Sequence, residues 1–322
     1  MTQRRSVLAG VSALLLPATA RAQPWPDRPV RYIVPFTPAG ITDMMARLVG
    51  HRLAEMWGRP VVIENRPGGN ALIGADAAAK AAPDGYTLLA ITLTHAVNAT
   101  LFPQAPYDFR RDFAAVSLLA GVPLVVCVNA QSPARDLQGL VALARRQRIN
   151  GGSSGNGSPA HLALETLRRA AGLGDAVTHV PYRGGAPAVT DLVAGTIDLL
   201  ISNLPECIAQ VTSGRLRALA VTGPNRHAQL PEVPTVREAE MPALEMSNWT
   251  AMVTQAAVPA PIRARLEQDT LAALQDGDLR RRAEEAGFEL IGWDAERSAR
   301  FVAAETERWS RLVREAGIRA DS

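Results

Sequence analysis

The run Val30-Arg-Tyr-Ile-Val-Pro-Phe-Thr-Pro-Ala-Gly-Ile-Thr-Asp43, continued by an amphipathic stretch to Trp57-Gly58 and then by Val61-Val-Ile63, decides the fold class. Val30 to Phe36 reads as a short apolar strand. Thr42 is placed to cap a helix in which Met45, Leu48, Val49, Leu53 and Met56 recur at i, i+3, i+4 spacing, so one face is buried. Gly58 supplies the stop. Val61 to Ile63 is a second strand, residues 75–82 a second helix closed by Pro83-Asp84-Gly85, and Tyr86 to Ile91 a third strand. Strand-helix-strand-helix-strand is the rhythm of a parallel sheet covered by helices.

The same rhythm continues downstream. Val122 to Val128 is a strand and Leu137 to Arg146 a helix. A Gly/Ser loop precedes a helix from Pro159 to about Ala171. Val177 to Pro181, Ile197 to Ile201 and Leu216 to Val221 are strands. The helices between them are one that starts near Pro187 and stops at Gly195, and one from Glu206 to Thr212. The tail differs: residues 261–275, 279–286 and 295–316 all read as helices. There is no internal repeat and no low-complexity linker. At 322 residues the chain is longer than one core usually needs, so two domains are expected.

At the other end, Arg4 and Arg5 precede the apolar stretch Val7 to Leu16 and the small-x-small site Ala20-Arg21-Ala22. This is the pattern of an export signal over residues 1–22, too short for a membrane span of about 20 residues. The paired arginines leave both the twin-arginine and the general secretory route open. The mature protein is therefore expected outside the cytoplasm. Hydrophobic residues make up 47% and charged residues 20% of the chain, as in a folded globular protein. There are 34 basic and 31 acidic residues, and Arg4, Arg5 and Arg21 of the leader account for the whole excess. A neutral mature chain without a basic run gives no support for a nucleic-acid or anionic-membrane partner. Lys80 is the only lysine, which excludes a Walker P-loop and nearly excludes Schiff-base chemistry. Cys127 lies in the apolar run Pro123-Leu-Val-Val-Cys-Val128, so it and Cys207 are expected to be two buried free thiols. No Cys/His spacing suits a metal, and no cofactor is implied.

Chemistry in open α/β sheets gathers beyond the carboxyl ends of strands, often at helix N-termini. Five loops hold that position: Pro35 to Asp43, Thr92 to Asn98, Gly151 to Pro159, Tyr182 to Pro187, and Ser202-Asn203. Hydroxyls, amides and glycines dominate all of them. The first is either a carboxylate cradle at a positive helix end or an ordinary turn capped by Thr42 and Asp43. The third is either an amide-and-hydroxyl anion cradle or, through Gly151-x-Ser153-x-Gly155, a nucleophile elbow with His161, His179 or His227 as base. Against the elbow, Asn156, Gly157 and Ser158 separate the serine from the next helix. His95, His161 and His179 could serve as general bases, but such a histidine is more often a hydrogen-bonding loop residue.

A set of ordered motifs runs along the mature chain: Trp25-Pro-Asp-Arg-Pro-Val-Arg-Tyr-Ile-Val-Pro-Phe36, Glu64-Asn-Arg-Pro-Gly68, Gly74-Ala-Asp76 and Ala81-Ala-Pro-Asp-Gly-Tyr-Thr-Leu88. It continues with Gly155-Asn-Gly-Ser158, His179-Val-Pro-Tyr182, Gly184-Gly-Ala-Pro187, Leu216-Arg-Ala-Leu-Ala-Val-Thr222 and Leu230-Pro-Glu-Val-Pro-Thr235. Each is weak alone, but their order and spacing closely resemble the Bug family, the solute-binding proteins of tripartite tricarboxylate transporters.

That resemblance implies a type II periplasmic-binding-protein fold: two α/β domains with the ligand in the cleft between them. The chain would cross between domains near Val122 and Trp249, giving residues 23–123 plus 248–322 as one domain and 124–247 as the other. It implies a small carboxylate held between the loops Thr37 to Asp43 and Ser153 to His161. In this scheme Phe36, Thr37, Ala39, Gly40, Ile41, Thr42 and Asp43 form one side, with the amides of Gly40, Ile41 and Thr42 on the carboxylate. Ser153, Ser154, Asn156, Ser158 and His161 form the other. Thr92, Thr94, His95, Asn98, Gly184, Gly185 and Asn203 line the rest. The implied partner is a two-component membrane permease, and a monomer is expected. The first loop departs from the family: Ala39 stands where a second glycine is usual and restricts positive φ, and the bulky Ile41 follows. After Pro67-Gly68 the chain reads Gly69-Asn-Ala-Leu72, which puts contacts from that loop in doubt. The rival readings are an exported serine hydrolase acting through Ser153 and, further off, a binding protein that reports to a sensor.

Overall fold

The computed structural model describes residues 25–316 and residue 319. The expected export signal, residues 1–22, lies outside them. The chain opens as β1 (Val30–Val34), α1 (Ile41–Trp57), β2 (Val61–Asn65), α2 (Leu72–Ala79) and β3 (Thr87–Thr92). β1 pairs in parallel with β2 and β3, as the alternating pattern requires. α1 lays Met45, Val49 and Leu53 against this sheet and stops at Gly58, whose φ of 60° closes the helix. Its start is two residues earlier than a Thr42 cap would place it: Gly40 is the N-cap and makes no side-chain cap.

Three further differences from the sequence reading matter. The second helix begins at Leu72, earlier than residue 75, because Gly69, Asn70 and Ala71 all turn through left-handed conformations just before it. The segment after β3 is a helix, α3 (Leu93–Leu101), where sequence alone suggested a loop. Thr92 accepts the Thr94 N–H, and His95 accepts the Thr92 N–H, a reciprocal cap built from a Thr/His pair in place of the usual Ser/Glu signal. The short α4 (Phe109–Asp112), capped by Asp108, then feeds β4 (Phe113–Asn129), a strand of 17 residues that is almost wholly buried.

The second block follows: α5 (Leu137–Arg146), β5 (Ile149–Ser153), α6 (Pro159–Ala170), β6 (Val177–Pro181), α7 (Gly185–Ala194), β7 (Leu199–Asn203), α8 (Leu204–Thr212) and β8 (Leu216–Val221). β5 pairs in parallel with β6 and β7. β9 (Ser247–Gln255), α9 (Ala260–Ala273), α10 (Gly277–Glu285), β10 (Glu289–Trp293) and α11 (Ala295–Ala316) complete the chain. β10 interrupts what reads as an all-helical tail; its Leu290 and Trp293 pair with β4.

β4 ties the strands together. Its first part, to Pro123, pairs with β9, which in turn pairs with β3. From Leu124 onward it pairs with β7 and β8. Two sheet halves thus share one strand, and the carboxyl ends of β1, β3, β5, β6 and β7 face a common cleft. Cys127 and Cys207 are buried and free. The Cys207 thiol is pushed well up by its hydrogen bond to Cys127 and by burial, which leaves it a poor nucleophile. Among the described residues no helix is long and apolar enough to cross a membrane, and no cluster of His, Cys, Asp or Glu is arranged to hold a metal.

Candidate ligand-binding site

Loops from both sheet halves meet around one cavity. It is lined by Phe36, Thr37, Gly40, Ile41 and Thr42 from the start of α1, by Thr92 and Thr94, by Ser154 and Pro159, by Gly184 and Gly185, and by Asn203, Glu206 and Asn248. The space inside is about 20 Å³, room for about one water. A wider mouth of about 580 Å³ opens beside it, where Phe36 and Ser154 meet Asn70, Gly155, Asn156, Tyr182 and the exposed Arg183.

The close approach depends on glycine at 184. Its φ of 152° is rarely adopted by L side chains, and a Cβ there would lie 2.4 Å from Thr37 Oγ1 across the cleft. Thr37 Oγ1 is buried and has no hydrogen-bond partner among the described residues. A buried hydroxyl without a partner is costly.

The loop before α1 is braced from behind by charge. Asp43 accepts hydrogen bonds from the Ala39 N–H at 3.0 Å, from Arg47 at 2.9 Å and from Asn65 at 2.8 Å. Burial pushes its carboxyl up, but Arg47, the Ala39 amide and Asn65 together bring it below the ordinary aspartate range. Ala39 does take the left-handed conformation that its Cβ disfavours, φ 65°, held there by the bond to Asp43. Neither Ala39 nor Asp43 lines the cavity.

The loop before α6 is braced by neutral groups. Ser153 Oγ lies 2.6 Å from His179 Nε2, and His179 stacks flat on His161 with ring centroids 3.9 Å apart. His161 Nδ1 accepts the Gly157 N–H, and Ser158 caps α6 through the His161 N–H. Burial holds both histidines down to about 4, so both are neutral at physiological pH. The Ser–His pair is the geometry a hydrolase needs, but Ser153 is fully buried at the end of β5 and does not line the cavity.

Of the residues expected from sequence, Phe36, Thr37, Gly40, Ile41, Thr42, Thr92, Thr94, Ser154, Gly184, Gly185 and Asn203 come together on the cavity wall. Ala39, Asp43, Ser153, Ser158 and His161 stand behind it. Asn156 lies at the mouth. Asn98 is tied to Asn70 by two reciprocal hydrogen bonds, and His95 caps α3 with its ring beside Phe36 and Phe109. Burial pulls His95 down to about 4. Three lining residues were not among the site residues named from sequence: Pro159, Glu206 and Asn248. Glu206 sits in the first turn of α8, four residues after Ser202, and extending the strand-end rule by one turn would have found it. Asn248 donates to Asn203 Oδ1 at 2.7 Å, a contact across 45 residues that no local signal marks.

Two sheet halves joined by crossing strands, with a polar cavity at the strand ends, define an α/β periplasmic binding protein. The family model described as TctC, "Tripartite tricarboxylate transporter family receptor", matches residues 45–318. Protein BugT of Bordetella pertussis is 35% identical over 306 residues, covering 94% of this chain and 93% of that one. A Rhodopseudomonas palustris protein solved with adipate superposes with a TM-score of 0.87 at 36% identity, covering 92% of this chain and 99% of that one. MatC from the same organism, solved with bound malate, gives 0.84 at 31% identity, with 90% and 100% covered. The chain belongs to the TctC/Bug family of tripartite tricarboxylate transporter receptors. It is a periplasmic solute-binding protein, and the family is one of binding proteins, not enzymes.

Proposed function

We propose that this protein captures a small carboxylate in the cavity between its two sheet halves and presents it to a two-component membrane permease of the tripartite tricarboxylate type. The observation that carries the reading is Thr37 Oγ1, a buried hydroxyl with no partner among the described residues, set among Thr42, Thr94 and Ser154 at the start of α1. Hydroxyls and amides of this kind hold a carboxylate without a fixed cation, and Arg183 stands at the mouth, outside the cavity wall. The structures solved with adipate and malate support the chemical class.

Residues 23–123 with 248–322 act as one domain and 124–247 as the other. They part to admit the ligand, since the closed cavity holds about one water, and close on it by a hinge at β4 and β9. The wall residues touch the ligand. Ala39, Asp43, His95, Asn98, Ser153, Ser158 and His161 position them, and Asn156 guards the mouth. An N-terminal signal over residues 1–22 delivers the chain to the periplasm.

The test is calorimetric titration of the purified protein with dicarboxylates, citrate, amino acids and aromatic acids, backed by thermal shift. A ligand at 100 times its dissociation constant stabilises by about 2.7 kcal/mol. Thr37→Val removes only the hydroxyl and is expected to weaken the responding ligand roughly five- to tenfold with little change in melting temperature. Absence of any carboxylate response from folded protein would reject the reading.

A further inference from the structure

The one charged residue on the cavity wall is an acid. Glu206 Oε2 accepts Ser202 Oγ at 2.5 Å and Asn203 Nδ2 at 3.1 Å, and the backbone amides of Ile41 and Asn203 also stabilise the anion. Its carboxylate spans the cleft. Oε1 lies 3.5 Å from where a Cβ on Gly40 would stand, and a Cβ on Gly185 would fall 2.0 Å from Oε2. The Ile41 amide, which the sequence reading reserved for a bound carboxylate, is turned to this internal one.

We propose that Glu206 sets the specificity of the site: it occupies the anion position at the start of α1, so the bound acid presents a hydrogen-bond-donating nitrogen, not a second carboxylate, to that end of the cavity. The inference rests on the carboxylate reading above and narrows it to acids with one carboxylate and an amine or amide at the far end.

Three observations support it. The wall contains no Lys, Arg or His to offset two anions. Bringing a second carboxylate against Glu206 in this cavity juxtaposes like charges, which disfavours a diacid. Both side-chain hydrogen bonds to Glu206 fall on Oε2, so Oε1, which faces Gly40, has no side-chain donor and is the oxygen a ligand N–H would approach. Burial pushes the Glu206 carboxyl above the ordinary glutamate range, and hydrogen-bond donors to it oppose that shift.

The test is calorimetry at pH 7.5 on the full-length processed protein with chain-matched probes: glutarate and adipate against the ω-amino acids and ω-amides of the same lengths. Wild type is expected to favour the nitrogen-bearing acids by at least about tenfold. Glu206→Gln keeps the shape and removes the charge, and is expected to shrink that preference. Glu206→Ser empties the position and is expected to reverse it, with tighter binding of the diacids. Melting temperatures confirm that each variant is folded. Equal binding of diacids by wild type, diacid binding with uptake of about one proton, or a preference unchanged in Glu206→Gln would overturn the inference while leaving the carboxylate reading intact. No binding of any probe by wild type and both folded variants would overturn the two together.

Discussion

The two loops that face each other across the cavity do the same job with different chemistry. The loop from Phe36 to Ile41 is held by a buried aspartate that collects an arginine, an asparagine amide and a backbone N–H. The loop from Ser154 to Ser158 is held by a serine hydroxyl on one histidine and by a second histidine stacked beneath it. In both, the residues with conspicuous chemistry stand behind the wall, and plain hydroxyls, glycines and amides form the wall itself. The charged brace keeps its charge at neutral pH, whereas the histidine brace is uncharged there and titrates only in acid, near 4.

Removing the charged brace should have the largest effect. Asp43→Ala leaves the Ala39 amide and Asn65 without their acceptor and releases Arg47. The expected loss is about 3 kcal/mol, read as a shift of roughly 6 °C or more in melting temperature. A loss below about 1 kcal/mol would mean that the loop is held by packing, and the contrast between the two braces would disappear.

The histidine brace predicts an acid limb. His161 and His179 sit near 4 in the folded protein, below the ordinary histidine value of about 6.5. The unfolded chain therefore binds more protons between those values. The stability is fully present above about pH 6.5 and is lost as pH falls toward 4. Fully buried His95 titrates in the same window and contributes on the order of 3 kcal/mol, so the limb must be dissected. His179→Phe keeps a ring on His161 and removes one titrating group. Proton uptake on unfolding between pH 6.5 and 4, measured from melting curves, should fall by about one. An unchanged slope would take His179 out of the limb and leave it to His161 and His95.

A smaller change sharpens the same comparison from the other side. Ala39 holds φ 65° in the charged loop, a conformation that costs an L-residue about 1–2 kcal/mol. Glycine adopts it freely but carries more entropy when unfolded. Ala39→Gly is expected to stabilise by up to about 1 kcal/mol in chemical denaturation. A destabilised variant would show that the Ala39 methyl makes a contact that outweighs the strain.

The sequence made the sheet halves legible because periodicity, caps and stop glycines are local: Met45, Val49 and Leu53 with Gly58, or Ser158 with Pro159, fix their helices within a few residues. The misses share a cause. α3 was hidden because its cap is a Thr92–His95 pair outside the usual signature, and β10 because its pairing partner in β4 lies more than 160 residues away. At the site, strand-end loops were readable as a class. Which side chains face inward was not, because Asp43 and Ser153 turn back into the protein, Glu206 enters one helical turn beyond a strand end, and Asn248 is brought to the wall by a distant strand.

Ser153→Ala gives the finest test, because Ser153 is where a brace and a nucleophile look alike. Its oxygen lies 2.6 Å from His179 Nε2, close enough for general-base activation. Reaction also needs a carbonyl to reach that oxygen. Ser153 is fully buried, it ends a strand, and five residues separate it from the first residue of α6, so it does not stand on the sharp strand-to-helix elbow that lifts a nucleophile into a cleft. Truncation to alanine should therefore cost about 1 kcal/mol of stability and leave ligand affinity within about twofold. His179 should stay near 4, because burial and not the serine holds it down, visible as an unshifted imidazole titration in NMR. A tenfold loss of affinity with no loss of stability would move Ser153 from the brace to the wall and make the two loops chemically alike after all.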